Sequence, residues 1–94
     1  MTAYVIARVA VHDPGPYDRY AAAFLRVLQR YGGRLLSADE APQVLEGDDG
    51  RKVVLLAFDT REAALTWAES PEYAAIARDR DAGAVVEAVL VAGT

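Results

Sequence analysis

The stretch Ala3–Val11 reads AYVIARVAV, and it decides how the rest of the chain can fold. Its two alternating sets of side chains are both apolar apart from Arg8, and Val and Ile are frequent in it. A strand that is apolar on both sides is typical of a central position in a sheet that is covered on both faces. Residues 52–59, KVVLLAFD, follow the same pattern and predict a second buried strand.

The residues after the first strand predict a turn and then a helix. Residues 12–16 contain two prolines and a glycine, and Asp13 is placed to cap a helix that has Pro14 in its first turn. Apolar residues then recur at spacings of three and four until a Gly-Gly pair at 32–33 ends the helix. This apolar stripe consists of Tyr17, Tyr20, Phe24, Leu28 and Tyr31.

The middle of the chain predicts an irregular strand. Arg34–Ser37 and Gln43–Glu46 have strand character, and the segment between them ends at Pro42. Proline cannot donate to a sheet ladder, so we expect an edge position or a bulge here. Residues 47–50, Gly-Asp-Asp-Gly, have the composition of a hairpin loop that leads into the second buried strand.

The last third of the chain predicts an interrupted helix and a final strand. Thr60 is placed as the N-cap of a helix, and Ser70 with Pro71 interrupts that helix and restarts it through Arg80. Ala84–Val91 is apolar except for Glu87 and predicts the closing strand. The order βαββαβ predicts an α+β, ferredoxin-like fold with an antiparallel sheet and both helices on one side of it.

The other side of this sheet should be polar if it met water, yet both sets of side chains in the central strands are apolar. An apolar open sheet face needs a cover. We therefore expect two copies to pack sheet against sheet as a homodimer, forming a dimeric α+β barrel. Hydrophobic residues make up 53% of the chain, which supplies the surface for such an interface.

Composition excludes several classes of function. With 94 residues we expect a single domain, 1–94. The formal net charge of -4 argues against a nucleic-acid or anionic membrane partner. The chain has no cysteine and one histidine, so we expect no metal site. It also has no Gly-rich phosphate loop, and we expect no cofactor. No apolar run approaches the ~20 residues that span a bilayer, and we expect a cytoplasmic protein.

Four motifs occur in order over essentially the whole chain. They are Asp13-Pro14-x-x-Tyr17-x-x-Tyr20, Tyr31-Gly32-Gly33, Val44-Leu45-Glu46-Gly47-Asp48 and Trp67-x-x-Ser70-Pro71-Glu72-Tyr73. With them the chain resembles the uncharacterised family catalogued as domain of unknown function 1330. The resemblance implies the dimeric α+β barrel group, a dimer, and a pocket between sheet and helices. That group also contains small monooxygenases, haem-handling enzymes, isomerases and stress-related proteins, so no single reaction is implied.

The sequence departs from that family pattern at two places. Many relatives have Glu before the Phe of the third strand, where this chain has Ala57. Many also have Trp after the Glu-Gly-Asp run, where Asp49-Gly50 follows here. The first difference removes a carboxylate that could have served as an acid or base.

Two residues are candidates for catalysis. His12 is the single imidazole and follows a strand, where it is either a general base or an exposed turn residue. Glu46 precedes a glycine, and it either accepts a proton or positions a ligand, or it forms a surface ion pair.

Five residues are candidates for ligand binding, each with a structural alternative. They are Arg8, Tyr20, Glu46, Tyr73 and Arg78. Tyr20 and Tyr73 either line the pocket or pack in the core. The motif Ser70-Pro71-Glu72 before Tyr73 is also typical of the start of a helix. Arg78, or Arg80 in its place, either holds an acidic ligand or pairs with a nearby carboxylate. Arg8 either faces the pocket or pairs with Glu87 across the first and last strands.

Two hypotheses of function follow. The first is a homodimeric binding protein that holds a small organic molecule in an apolar pocket. The second is a cofactor-independent monooxygenase or isomerase of a small aromatic or keto compound, with Glu46 or His12 as the base. The position of these two side chains relative to the pocket distinguishes the hypotheses.

Overall fold

The computed structural model of the chain describes residues 1–47 and 50–94. Within these residues, four strands and three helices follow the predicted βαββαβ order, with the second helix in two pieces. The elements are β1 (Ala3–Val11), α1 (Pro14–Arg30), β2 (Arg34–Asp39), β3 (Lys52–Phe58), α2 (Arg61–Ala68), α3 (Pro71–Gly83) and β4 (Ala84–Ala92).

The strands form one antiparallel sheet in the order β2-β3-β1-β4, which confirms the central position predicted for β1. In β1, Ala7 lies opposite Val54 of β3 and Ala88 of β4. Because side chains alternate along a strand, Ala7, Val54 and Ala88 face the helices, whereas Ile6 lies on the outer side of the sheet. The core therefore lies between one side of the sheet and all three helices.

The outer side of the sheet is largely apolar and open in the single chain, and it also carries Arg8 and Glu87. Val85 and Val89 are each 57% exposed, and Ile6 and Val91 are each 37% exposed. In register, Val89 lies opposite Ile6, and Val91 lies opposite Tyr4. These four exposed residues define the outer patch.

The helices begin where the sequence predicts. Asp13 accepts a hydrogen bond from the backbone of Gly15, and Thr60 accepts one from Ala63. Ser70 is buried, and its hydroxyl both accepts from Tyr73 N and donates to the carbonyl of Trp67. Ser70 thus joins the end of α2 to the start of α3. None of the helices in the described part of the chain is both long and apolar enough to cross a bilayer.

One of the two segments predicted for the irregular strand is not a strand in the structure. β2 is an edge strand with a bulge between Leu35 and Ser37, and it ends at Asp39, whose carboxylate accepts from Ala41 N at 3.0 Å. This turn and Pro42 stop the ladder. The prediction that Gln43–Glu46 resumes the strand is therefore wrong. The predicted hairpin loop at 47–50 lies partly outside the described residues.

The end of α3 crosses closely over the start of α1. The carbonyl of Gly83 accepts hydrogen bonds from His12 N at 2.9 Å and Asp13 N at 3.1 Å. A Cβ atom at Gly83 would lie 2.5 Å from the carbonyl oxygen of Asp13 and 2.7 Å from Tyr17 N. Only glycine allows this approach, which fixes both helices over the sheet.

Candidate functional site

A cavity of about 650 Å³ lies between the helix-facing side of the sheet and the three helices. Its floor includes Ala7 of β1 and Ala88 of β4, which lie directly opposite each other. Methyl side chains at both positions leave space above the sheet that larger residues would fill. The small Ala7–Ala88 pair thus makes room for the cavity in an otherwise packed core.

Four aromatic rings from the helices form a closed circuit at the cavity. The ring of Phe24 lies 5.5 Å from that of Tyr20 and 6.2 Å from that of Trp67. Tyr73 completes the circuit at 4.4 Å from Trp67 and 6.1 Å from Tyr20. These separations and tilts are those of favourable aromatic pairs, so the rings support each other's positions.

Hydroxyl groups meet on one wall of the cavity. The Oη atoms of Tyr20 and Tyr73 lie 2.8 Å apart, and Arg80 Nη1 donates to Tyr73 Oη at 3.0 Å. The Arg80 guanidinium also lies 5.7 Å from the centre of the Tyr73 ring. Burial, reinforced by the adjacent Tyr73, raises the pKa of Tyr20 far above its usual range. Tyr20 is therefore protonated at physiological pH and acts as a neutral hydrogen-bonding group.

A second cation approaches the cavity from the sheet. Lys52 Nζ lies 5.2 Å from the centre of the Tyr17 ring and 3.1 Å from a carboxylate oxygen of Glu40. Burial works to lower the pKa of Lys52, but its contacts with Glu40 and Tyr17 outweigh burial, and the pKa is raised. Lys52 is thus an ammonium group, and the Tyr17 ring lies 5.7 Å from that of Tyr20. We call Lys52, Tyr17, Tyr20, Tyr73 and Arg80 the polar wall; all five line the cavity.

Trp67 carries a further donor. Its side chain is 5% exposed and lines the cavity. Its indole Nε1–H is buried and has no hydrogen-bond partner among the residues that the structure describes. A buried N–H without an acceptor is unusual in a native protein.

The structure brings two of the predicted ligand-binding residues together and separates the others from the cavity. Tyr20 and Tyr73 meet in the polar wall. Arg8 lies on the outer side of the sheet, opposite Glu87 in register, and Glu87 accepts from Arg51 Nη2 at 2.7 Å. Arg78 is exposed and does not line the cavity.

Neither candidate base lies at the cavity. His12 is exposed at the end of β1, and Glu46 is exposed in the irregular segment after β2. Ala57, where many relatives have Glu, lies opposite Tyr4 on the outer side of the sheet. A carboxylate at position 57 would therefore extend from the sheet face that is turned away from this cavity.

Two residues of the site, Lys52 and Trp67, were not candidates from the sequence, and Arg80 was named there only as an alternative to Arg78. Lys52 alternates with Val54 and Leu56 and so shares their helix-facing side. Arg80 follows Tyr73 by seven residues, about two helical turns, which stacks both on one helix face. No sequence pattern indicated that Trp67 Nε1 would lack an acceptor among the described residues, because a tryptophan in an apolar stripe is expected to pack in the core.

Comparisons with known proteins point to the same architecture. The family model described as "Domain of unknown function (DUF1330)" matches residues 2–94. No curated protein gives a significant match. A protein of unknown function from Rhodopseudomonas palustris is similar in structure with a TM-score of 0.80 at 16% identity, covering 99% of this chain and 82% of that one.

Two further solved structures share the fold. A DABB-family protein with a ferredoxin-like fold from Mesorhizobium loti has a TM-score of 0.68 at 13% identity, covering 99% of this chain and 97% of that one. SnoaB, a cofactor-independent oxygenase from Streptomyces nogalater, has a TM-score of 0.63 at 17% identity, covering 99% and 93% respectively. At such low identity these likenesses show the fold alone, and they confirm the predicted ferredoxin-like α+β class.

Proposed function

The chain belongs to the family described as a domain of unknown function, DUF1330, and on that premise we propose that it binds a small ring-containing organic molecule in the cavity between sheet and helices. The main observation that supports this proposal is the cavity, which has a volume of about 650 Å³. This volume is in the range of small-molecule sites, which are mostly apolar with a few convergent polar groups. Residues 1–94 act as one domain in this proposal.

The shape of the lining supports a ring-containing ligand. The circuit of Tyr20, Phe24, Trp67 and Tyr73 offers aromatic faces and edges, and the floor is formed by small and branched aliphatic side chains. Flat apolar ligands gain both burial and aromatic contact in such a lining.

The second part of the proposal is that two chains pair through the outer patch as a homodimer. Val85, Val89, Ile6 and Val91 expose apolar surface on one face of the sheet. Exposed apolar side chains on one sheet face are typical of interfaces, and burying them against a second copy removes them from water. Apart from Val89, which belongs to both the outer patch and the cavity lining, the cavity lies on the other side of the sheet.

An enzymatic function has less support. Similarity to a cofactor-independent oxygenase makes a monooxygenase or isomerase of a small aromatic or keto compound the alternative. Such chemistry needs a base near the substrate. His12 and Glu46 are exposed and away from the cavity, and no other carboxylate or imidazole of the described residues lines it. This arrangement favours binding over catalysis.

The binding proposal is tested by fluorescence titration with anthracene-2-carboxamide and anthracene-2-carboxylate. Saturable binding of either compound is expected, and Ala7→Leu should weaken it at least tenfold because the added side chain occupies the cavity floor. Ala75→Leu adds the same volume on the exposed side of α3 and should leave binding unchanged. Absence of saturable binding for both compounds, or equal binding by the Ala7→Leu protein, would overturn the proposal.

We also propose the cytoplasm as the compartment, on the sequence expectation. Fractionation of the native host with an antibody against the protein would test this assignment.

A further inference from the structure

We propose that the ligand of this cavity carries an anionic oxygen group, a carboxylate, enolate or phenolate, bound by the polar wall. This inference rests on the proposed function and adds the chemical class of the ligand to it. Three independent features of the polar wall support it: an unused hydroxyl proton, two cations, and the placement of the carboxylates that pair with those cations.

The first feature is a count of protons. Tyr20 and Tyr73 have one O–H proton each, and their mutual hydrogen bond at 2.8 Å uses one of them. Arg80 is a donor only, so its bond to Tyr73 Oη uses no tyrosine proton. Whichever tyrosine donates to the other, one O–H of the pair has no acceptor among the described residues. That proton is available to an oxygen atom of a ligand in the cavity.

The second feature is charge. Lys52 and Arg80 both line the cavity, and their side chains are only 15% and 25% exposed. They are joined through Tyr17, Tyr20 and Tyr73, whose rings lie 5.7 and 6.1 Å apart in succession. Cations at both ends of a row of hydroxyl groups attract an anionic oxygen and repel a cationic ligand.

The third feature is where the counter-charges lie. Glu40 pairs with Lys52 and Asp81 pairs with Arg80, but these carboxylate side chains are 78% and 68% exposed. Exposed carboxylates are solvated and screened, so they offset the buried ends of the two cations only in part. Within residues 1–47 and 50–94, the cavity lining contains donors and cations but no carboxylate. The lining is therefore complementary to an acceptor-rich, negatively charged group.

Three members of the polar wall, Tyr20, Lys52 and Arg80, hold their protons and are therefore not bases. The raised pKa of Tyr20 keeps its proton in place, and the raised pKa values of Lys52 and Arg80 keep both charged. These groups donate hydrogen bonds and do not withdraw protons. They would bind and orient an anion that is already formed.

The test compares anthracene-2-carboxylate with anthracene-2-carboxamide, its neutral counterpart of nearly equal shape, by fluorescence titration of the wild-type protein at neutral pH. We expect the carboxylate to bind at least tenfold more tightly. Arg80→Gln should reduce carboxylate affinity by roughly tenfold, because a charge-assisted hydrogen bond is lost, and should leave the carboxamide nearly unaffected. Arg80→Lys should recover part of the loss.

Arg78→Gln is the matched control, since it removes the same charge from the same helix at a position away from the cavity. Lys52→Met provides a second variant on the sheet side, in case Arg80→Gln perturbs folding, and circular dichroism checks each variant. Equal binding of both compounds by the wild-type protein would overturn this inference and leave the proposed function standing. An equal loss in Arg78→Gln and Arg80→Gln would show a general charge effect and also overturn it. Binding of neither compound removes both proposals.

Discussion

The hydroxyl oxygens of Tyr20 and Tyr73 lie 2.8 Å apart, although the residues are separated by 53 positions in the sequence. The first belongs to α1 and the second to α3, so this buried bond joins the two helices directly. Arg80 adds a charged donor to the same oxygen of Tyr73. The bond therefore serves both the packing of the helices and the polar wall of the cavity.

This bond predicts a measurable coupling. Tyr20→Phe and Tyr73→Phe should each lower the free energy of unfolding by about 1–2 kcal/mol, since each leaves a buried hydroxyl or guanidinium with one partner fewer. The double variant should lose less than the sum, because both substitutions break the same bond. Urea denaturation of the four proteins measures the coupling. Strict additivity would show that the two hydroxyl groups do not stabilise each other, and it would contradict the predicted coupling.

The close crossing at Gly83 predicts a strong glycine requirement. Gly83→Ala should destabilise the protein by roughly 1–3 kcal/mol, because its Cβ would overlap backbone atoms of Asp13 and Tyr17. Gly15→Ala is the matched control, since a Cβ there meets its nearest atom at an ordinary 3.6 Å. That control should stabilise the protein by about 0.4–1 kcal/mol. Thermal unfolding measures both, and a neutral Gly83→Ala would contradict the close approach.

The outer patch predicts how an added charge affects the proposed dimer. Val89→Glu should shift the sedimentation profile from a dimer toward a 10.1 kDa monomer, because each chain would bury an unpaired carboxylate in an apolar interface. Ala75→Glu places the same charge on the exposed side of α3 and should not change the profile. A wild-type protein that sediments only as a monomer at micromolar concentration would contradict the interface itself.

Glu72 predicts a pH dependence of stability. It accepts hydrogen bonds from the Tyr31 hydroxyl and, at 2.7 Å, from Arg30 Nη1. The bond from Tyr31, opposed by burial and helped by Arg30, lowers the pKa of Glu72 below its ordinary 4.5. A lowered folded-state pKa stabilises the protein above the unfolded value, and this stabilisation is lost as the pH falls through the folded value.

The experiment compares wild-type protein with Glu72→Gln by thermal unfolding at about pH 6 and about pH 3. The wild-type midpoint should fall further between the two conditions than that of the variant, because only the wild type loses the contribution of Glu72. Glu69→Gln, a nearby exposed carboxylate, should follow the wild type. Parallel behaviour of Glu72→Gln and wild type would contradict the assignment.

Much of the fold could be predicted from sequence because local signals agreed with the global pattern. β1 begins and ends at the predicted residues, since an apolar run interrupted only by Arg8 meets a turn with two prolines. The sequence likewise predicted Ser70 as a helix N-cap, and its hydroxyl accepts the expected hydrogen bond. The strand prediction for Gln43–Glu46 was wrong because this segment has no neighbouring strand to pair with. β2 already ends at the Asp39 turn. Propensity alone cannot show whether a neighbouring strand is available.

The candidate site was harder to predict, because it depends on which face of an element each residue occupies. Tyr20 and Tyr73 were found through their motifs, and the structure brings them together in the polar wall. Arg8 shares the outer parity of Ile6, which the alternation along β1 already implied. Arg80 rather than Arg78 contacts Tyr73, and the helical period distinguishes the two. The cavity itself depends on tertiary spacing that no local pattern records.

The facing methyl groups of Ala7 and Ala88 have a consequence for the diversification of this fold. The size of the cavity depends in part on these two side chains, which belong to neither the helix caps nor the outer patch. A single substitution to valine or leucine at either position would shorten the acceptable ligand while leaving the polar wall in place. In the proposed binding site, ligand size and ligand charge are thus controlled by separate residues, so descendants of one ancestral binder could acquire new ligands one property at a time.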